Sequence, residues 1–276
     1  MPGSFHIHRS NRLEKLATAL GDLLAKPMGT PLHPDAVVVQ GRGMGIWLGG
    51  VLAQRFGVWA SPVAYPRAFV EQVVQGVLGP DALGDPPLSE ELLRWAVLAA
   101  LPQLDTKPEF AELRRYREGD SVDQGGQGTR SAELAQRIAT VFDHYLTYRP
   151  EWLQAWEQGD FSNLSDGDRW QALLWQHIAA QLAKPHLASA VDQLVLRLEA
   201  SGKVAGLPPR VLVFGLSTLP PLYVRVLAVL SRRCDVHCFL FSPAPGASSG
   251  AETGNALVDS FGFLGGDFER VLSGAV

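Results

Sequence analysis

The sequence predicts an α/β domain whose parallel sheet is interrupted by a block of helices. Three observations carry that class. Short β-branched runs, VVV at 37–39 and RVLVF at 210–214, fit strands buried on both faces. Each is followed by a turn and then by apolar residues at helical spacing. Between them, from Ser89 to Ser201, the period is helical almost throughout. The order is therefore βαβα, a helical block, then βαβ, which one α/β domain with an insertion explains better than three separate domains.

The elements follow in order. Phe5 to His8 alternates aromatic and aliphatic residues with histidines, as a short strand does, and Ser10 or Asn11 is placed to cap a helix carrying Leu13, Leu16, Leu20, Leu23 and Leu24. A proline-broken loop over 27–34 precedes the Val37 strand. Gly41, Gly43 and Gly45 then form an expected glycine turn, and Ile46, Leu48, Val51, Leu52 and Phe56 an expected helix. Residues 58–67 hold two prolines and few helix formers and are expected to be a loop, with a helix over 68–78. Gly79 to Pro87 is a turn cluster and an expected subdomain boundary.

Ser89, Glu90 and Glu91 open the helical block with an acidic first turn that suits the helix dipole. Further helices are expected over 110–116, 131–148, 151–158, 170–182 and 189–201, with a mobile Gly/Gln-rich stretch over 121–130. Arg149-Pro150 ends the clearest of them, because the residue before proline disfavours helix. A helix over 222–230 and a strand over 235–241 complete a βαβ unit, whose strands must be parallel with a right-handed crossover. A low-complexity linker over 243–254 and a final helix over 257–272 are expected beyond it. The expected divisions are 1–85 and 206–243 for the α/β domain, 86–205 for the insertion, and 244–276 for the linker and last helix.

Length and composition narrow the function. A chain of 276 residues with 46% hydrophobic and 19% charged residues can bury a sizeable core. A net charge of −4 argues against a wholly basic nucleic-acid coat. Arginine outnumbers lysine 19 to 5 among the 24 basic residues, which suits planar phosphate and base contacts in a local groove. Two cysteines make no disulfide framework, no apolar run reaches membrane length, and no charged-then-apolar leader is visible. A cytoplasmic protein that needs no cofactor is expected.

Several residue groups invite a chemical reading. The three glycines could cradle a phosphate at a helix start, but the lysine and hydroxyl residue of a P-loop are missing. A tight turn is the better reading. His6 and His8 share one strand face and could pair on a metal, yet no third ligand stands at suitable spacing, and a structural role is preferred. Strand alternation sends His237 and Cys238 to opposite faces, so Cys234 and Cys238 read as buried thiols. Trp47, Trp59 or Tyr65 could stack on a base. Asp143 and His144 are adjacent on a helix and do not face each other. No nucleophile elbow, Cys-His pairing or paired-carboxylate nuclease motif is visible.

The runs HRSNRLEKL, VVVQGRGMGIWL, the loop ending in Tyr65-Pro66, FDHYLTYRPEWLQAWEQG, RWQALLW and LPPRVLVFGLSTLPPLYVRVL resemble, in that order, the N-terminal part of the RecC family, the gamma chain of exodeoxyribonuclease V. The resemblance runs from about residue 5 to 243 and more weakly to Leu272. Family members are longer, so an N-terminal fragment is expected, with the 243–254 segment shorter than usual. The resemblance implies a superfamily 1 helicase-like, P-loop-like fold with its nucleotide-binding motifs lost. HRSN then stands where a phosphate loop belongs. It also implies a non-catalytic subunit that channels the 3′-ended single strand of a forked duplex and scans it for the Chi signal, with RecB and RecD as partners. Carried over by position, the strand-facing residues are Gln40, Arg42, Ile46, Tyr65, Glu71, Asp143 and Arg149. Gln40, Asp143 and Arg149 sit in matching motifs, whereas Arg42, Ile46, Tyr65 and Glu71 depart from the family's residue types. A residual NTPase and a protein-only scaffold are the rival readings.

Overall fold

A computed structural model of the chain describes residues 3–26, 28, 34–119, 127–200, 202, 204–242, 268 and 270–274. The chain divides into two compact units, Met1–Pro80 with Val191–Val276, and Asp81–Ala190.

The first unit is built on a five-stranded sheet. Its strands are β1 (Phe5–Ser10), β2 (Ala36–Val39), β3 (Val63–Ala64), β4 (Arg210–Phe214) and β5 (Asp235–Phe241), in the spatial order β1-β5-β4-β2-β3. Every neighbouring pair is parallel, with Val39 opposite Phe214, Val213 opposite Cys238 and His6 opposite His237. Both faces are covered, so β2 and β4 bury every residue from Val37 to Val39 and from Arg210 to Phe214. That is why their sequences are continuous apolar runs rather than alternating ones.

Helices α1 (Leu13–Leu24) and α2 (Arg42–Phe56) cover one face. Leu16, Leu20, Leu48 and Leu52 pack there against Val37, Val39, Leu212, Phe214 and Phe239. Helices α3 (Pro66–Leu78) and α10 (Pro221–Leu230) lie against each other. The return from β4 through α10 to β5 runs opposite to the step from β1 to β2, so a right-handed crossover sets α10 on the other face. At the amino ends of the strands, a cavity of about 400 Å³ is lined by Pro34, Pro62, Val73 and the 206–209 turn.

Three local expectations need correction. Ser10 does not cap α1. Arg12 is the capping residue with no side-chain cap, and the Ser10 hydroxyl accepts instead from the Arg12 N–H at 3.1 Å. The glycine turn is shorter than expected: Gly41 alone precedes α2, and Gly43 and Gly45 lie in its first turn, where Gly45 N–H already donates to Gly41 C=O. Residues 58–67 are not all loop. Val63 and Ala64 form β3 beside Val37 and Val38, and Pro66, whose fixed φ suits a first helical position, starts α3.

The second unit is helical. It comprises α4 (Glu90–Leu104), α5 (Ala111–Glu118), α6 (Gln127–Tyr148), α7 (Pro150–Glu157) and α8 (Arg169–Leu182); α9 (Leu187–Glu199) spans the division in the chain. The Ser89 hydroxyl caps α4 by accepting from Leu92 N–H at 3.2 Å. The core gathers Leu93, Val97, Phe110, Phe142, Trp156 and Trp175, and Phe142 meets Trp175 edge to face at 5.3 Å. Trp156 and Trp175 are buried without leaving an indole N–H unpaired: they donate to Asn163 and Glu157. The expected linker over 243–254, most of the expected mobile stretch over 121–130 and most of the expected last helix lie outside the described residues; residues 270–274 are helical.

Candidate nucleic-acid interface

The carboxyl ends of the parallel strands form one edge of the first unit, the edge at which open α/β sheets receive ligands. β2 ends at Val39, so Gln40 is the first residue past the sheet. It is exposed, and its amide makes no hydrogen bond to any described residue. Gly41 is extended (φ −172°, ψ 179°) and turns the chain into α2, whose first residue is Arg42. Arg42 is exposed and ion-paired with no described residue. Ile46 follows one turn later on the same helix face and is 66% exposed, an unusual position for an isoleucine.

Tyr65 comes directly after β3. Continuing the register of Val38 with Ala64 sets Tyr65 beside Val39, one residue short of Gln40. It is 42% exposed, and its carbonyl accepts from Phe69 N–H at 2.8 Å as α3 begins. Trp47 and Trp59, the other aromatic residues considered for base stacking, instead pack half-buried against the sheet core, with Trp47 6.1 Å from Phe214. Of the three, Tyr65 is the ring open to solvent. Glu71, one turn into α3, is drawn back onto Arg67 at 3.0 Å. The structure thus brings Gln40, Arg42 and Tyr65 to one edge, sets Ile46 below them, and ties Glu71 into a helix-surface ion pair.

Asp143 and Arg149 belong to the second unit. Asp143 is half-buried in the last turns of α6, and its carbonyl accepts from Thr147 Oγ1 at 3.0 Å. Arg149 stands between α6 and α7 with φ −141° and ψ 47°. Its guanidinium donates to the Tyr148 carbonyl at 3.3 Å and lies 5.8 Å from the centre of the Trp152 ring. Resting on an aromatic face holds the cation without neutralising it.

Two features escaped the sequence. The turn after β4 presents Ser217 and Thr218 to solvent at the same carboxyl edge, and the only signal was the unusual run GLSTLPP. The other is a column of histidines. His6 and His8 share a face as expected, but β5 adds His237 to them. His6 and His237 stack at 4.5 Å, and His8 Nε2 lies 3.0 Å from His237 Nδ1. Burial, and then the neighbouring His6, His8 and Arg210, push His237 down to about 4, against a smaller opposing effect of Asp235. His8 is lowered by burial and by His6. No group of three or more His, Cys, Asp or Glu among the described residues can hold a metal ion. Cys234 and Cys238 are buried, and burial pushes both thiols up to about 12, which suppresses the reactive thiolate. Among the described residues no helix is long and apolar enough to cross a membrane.

Comparison with known proteins identifies the family of the chain. The family described as RecC, N-terminal domain, matches residues 5–274. The RecBCD enzyme subunit RecC of Escherichia coli (strain K12) is 31% identical over 246 residues, covering 86% of this chain and 21% of that protein. The subunit of the same name from Haemophilus influenzae is 28% identical over 265 residues, covering 87% of this chain and 23% of its own length. That of Mycobacterium tuberculosis (strain ATCC 25618 / H37Rv) is 30% identical over 252 residues, covering 87% and 22%. The chain spans about a fifth of the length of these curated relatives.

Proposed function

Because the chain belongs to the RecC N-terminal domain family, we propose that it forms the motor-like but ATP-free first part of a subunit that channels and scans single-stranded DNA. The parallel sheet and its two-sided helical cover support a P-loop-like ancestry. In this reading residues 1–85 and 206–243 are the equivalent of a helicase domain 1A, residues 86–205 that of its 1B insertion, and 244–276 a linker and helix.

The hydrolytic parts are missing from the positions that matter. A P-loop enzyme needs Gly-Lys-Ser/Thr after its first strand and a magnesium-holding aspartate after a later one. HRSN is not the turn itself, because β1 runs on through Ser10; Asn11 and Arg12 are what stand between β1 and α1, and after β4 stands Gly215.

The observation that carries the proposal is the cluster of Gln40, Arg42 and Tyr65 at the carboxyl edge, exposed and unoccupied by phosphate-binding machinery. An amide can read a base edge, a guanidinium can hold a phosphate, and an open phenol ring can stack on a base. In the helical unit, Asp143 and Arg149 are strand contacts by the same family resemblance, and in the first unit Ile46 and Glu71 flank Gln40, Arg42 and Tyr65. RecB and RecD supply the motors and the nuclease, and the 3′-ended strand of a forked duplex is what this edge receives. The setting is double-strand break repair in the cytoplasm.

The test is alanine substitution of Gln40, Asp143 and Arg149 in the full-length protein assembled with RecB and RecD, scoring unwinding and Chi response separately. Loss of Chi response with unwinding retained is the expected result. Unchanged Chi response in all three, at unchanged stability, leaves only a protein scaffold.

A further inference from the structure

We propose that the turn Leu216–Leu219 is a second wall of this interface, holding the sugar-phosphate backbone of the single strand through the hydroxyls of Ser217 and Thr218. The proposal rests on the reading that the carboxyl edge faces the strand.

The topology supplies the cleft. β2 and β4 are neighbours, with Val39 opposite Phe214, so Gln40 and Gly215 leave the sheet side by side. From there the two chains diverge. α2 packs with α1 on one face, and the β4–α10–β5 crossover goes to the other. Adjacent strands whose connections leave to opposite sides open a crevice, and such a switch point is the usual ligand site of an open α/β sheet. Its floor is drawn tight by α2: a Cβ added at Gly215 would lie 3.0 Å from Met44 Cε.

The turn is built to hold its tip still. Leu216 and Leu219 are 4% and 8% exposed and anchor the two ends, while Ser217 and Thr218 between them face solvent. Gly215 N–H donates to Phe239 C=O at 3.1 Å, and Pro220 and Pro221 restrict the exit. Neither hydroxyl is bonded to any described residue. Two free hydroxyls on a fixed turn are suited to phosphate oxygens. Such contacts set the position of a strand without reading its sequence, which complements the base-reading amide of Gln40 across the crevice.

Neutral hydroxyls also leave a distinctive signature. They release no counterions, so their loss weakens binding without changing its salt dependence, whereas loss of Arg42 lowers the salt slope by about one unit. The experiment uses the full-length protein assembled with RecB and RecD and a forked duplex whose 3′-ended strand carries one methylphosphonate at a time. Wild type is expected to lose affinity at one or two linkages that the S217A/T218A double variant no longer senses. The variant itself should bind the unmodified fork about threefold to tenfold more weakly at an unaltered salt slope. The conservative S217T/T218S variant should restore both affinity and linkage profile. A double variant with wild-type affinity and wild-type linkage profile overturns the proposal. If Gln40→Ala still changes Chi response in that case, the carboxyl-edge reading survives without this wall; if Gln40→Ala is silent too, that reading falls with it.

Discussion

Arg210, the first residue of β4, reaches Asp35, just before β2, at 2.5 Å, and both side chains are almost wholly buried. The same guanidinium nitrogen donates to the carbonyls of Leu23 at the end of α1 and Lys26 beyond it. One cation therefore ties together the amino ends of two central strands and the end of a helix, while its Nε finds no partner among the described residues. Removing one member of such a pair strands the other charge in the interior. Asp35→Ala is expected to cost about 3–5 kcal/mol, measurable by urea denaturation of the isolated chain, and Arg210→Met with Asp35→Leu together considerably less. Equal losses for the single and double variants would show that packing, not charge, makes the contribution.

The histidine column makes stability depend on pH. His237 is pushed down to about 4 by burial and then by the neighbouring His6, His8 and Arg210, and an unfolded histidine titrates near 6.5. Between those values the unfolded chain binds the proton and the folded one does not. The stabilisation is thus complete above about pH 6.5, is lost as pH falls toward 4, and changes no further below that. Since water reaches the column through exposed His6, the loss is expected to be about 2 kcal/mol rather than the full linkage value. His237→Phe, which extends the Phe239 stack, should flatten the stability profile between pH 6.5 and 4. An unflattened profile in that variant would place the acid sensitivity elsewhere.

Gly215 adopts φ +67°, a conformation costly for any residue with a side chain. Gly215→Ala is expected to destabilise by about 1 kcal/mol or more. The Met44 side chain can shift, so most of the loss should persist when Met44→Ala is added. Complete rescue by Met44→Ala would show that the contact, and not the backbone, sets the cost.

Mg-ATP should give no binding heat with this chain in calorimetry, because neither the turn after β1 nor the residue after β4 offers what nucleotide phosphates and magnesium require. Micromolar binding would reinstate a working nucleotide site.

The sequence by itself determined the elements whose signal is local. VVV and RVLVF fitted strands covered on both faces, since a half-exposed strand alternates. The helical period over 131–148 spelled out most of α6, and the acidic first turn of Glu90 and Glu91 after Ser89 marked the start of α4. The family, too, was legible in runs such as GLSTLPP. The tertiary structure alone decided what depends on register and crossover. β3 is two residues long, too short for any period to show, and exists because Val37 and Val38 offer it a free edge. His237 lies far along the chain from His6, and only the parallel pairing of β1 with β5 sets them ring on ring. Arg210 and Asp35 would read as surface charges anywhere else. Gln40 and Tyr65 became neighbours, and the turn with Ser217 and Thr218 came to the same carboxyl edge, through the order of strands in the sheet. That order is a long-range outcome of burying both faces at once, and no window of sequence contains it.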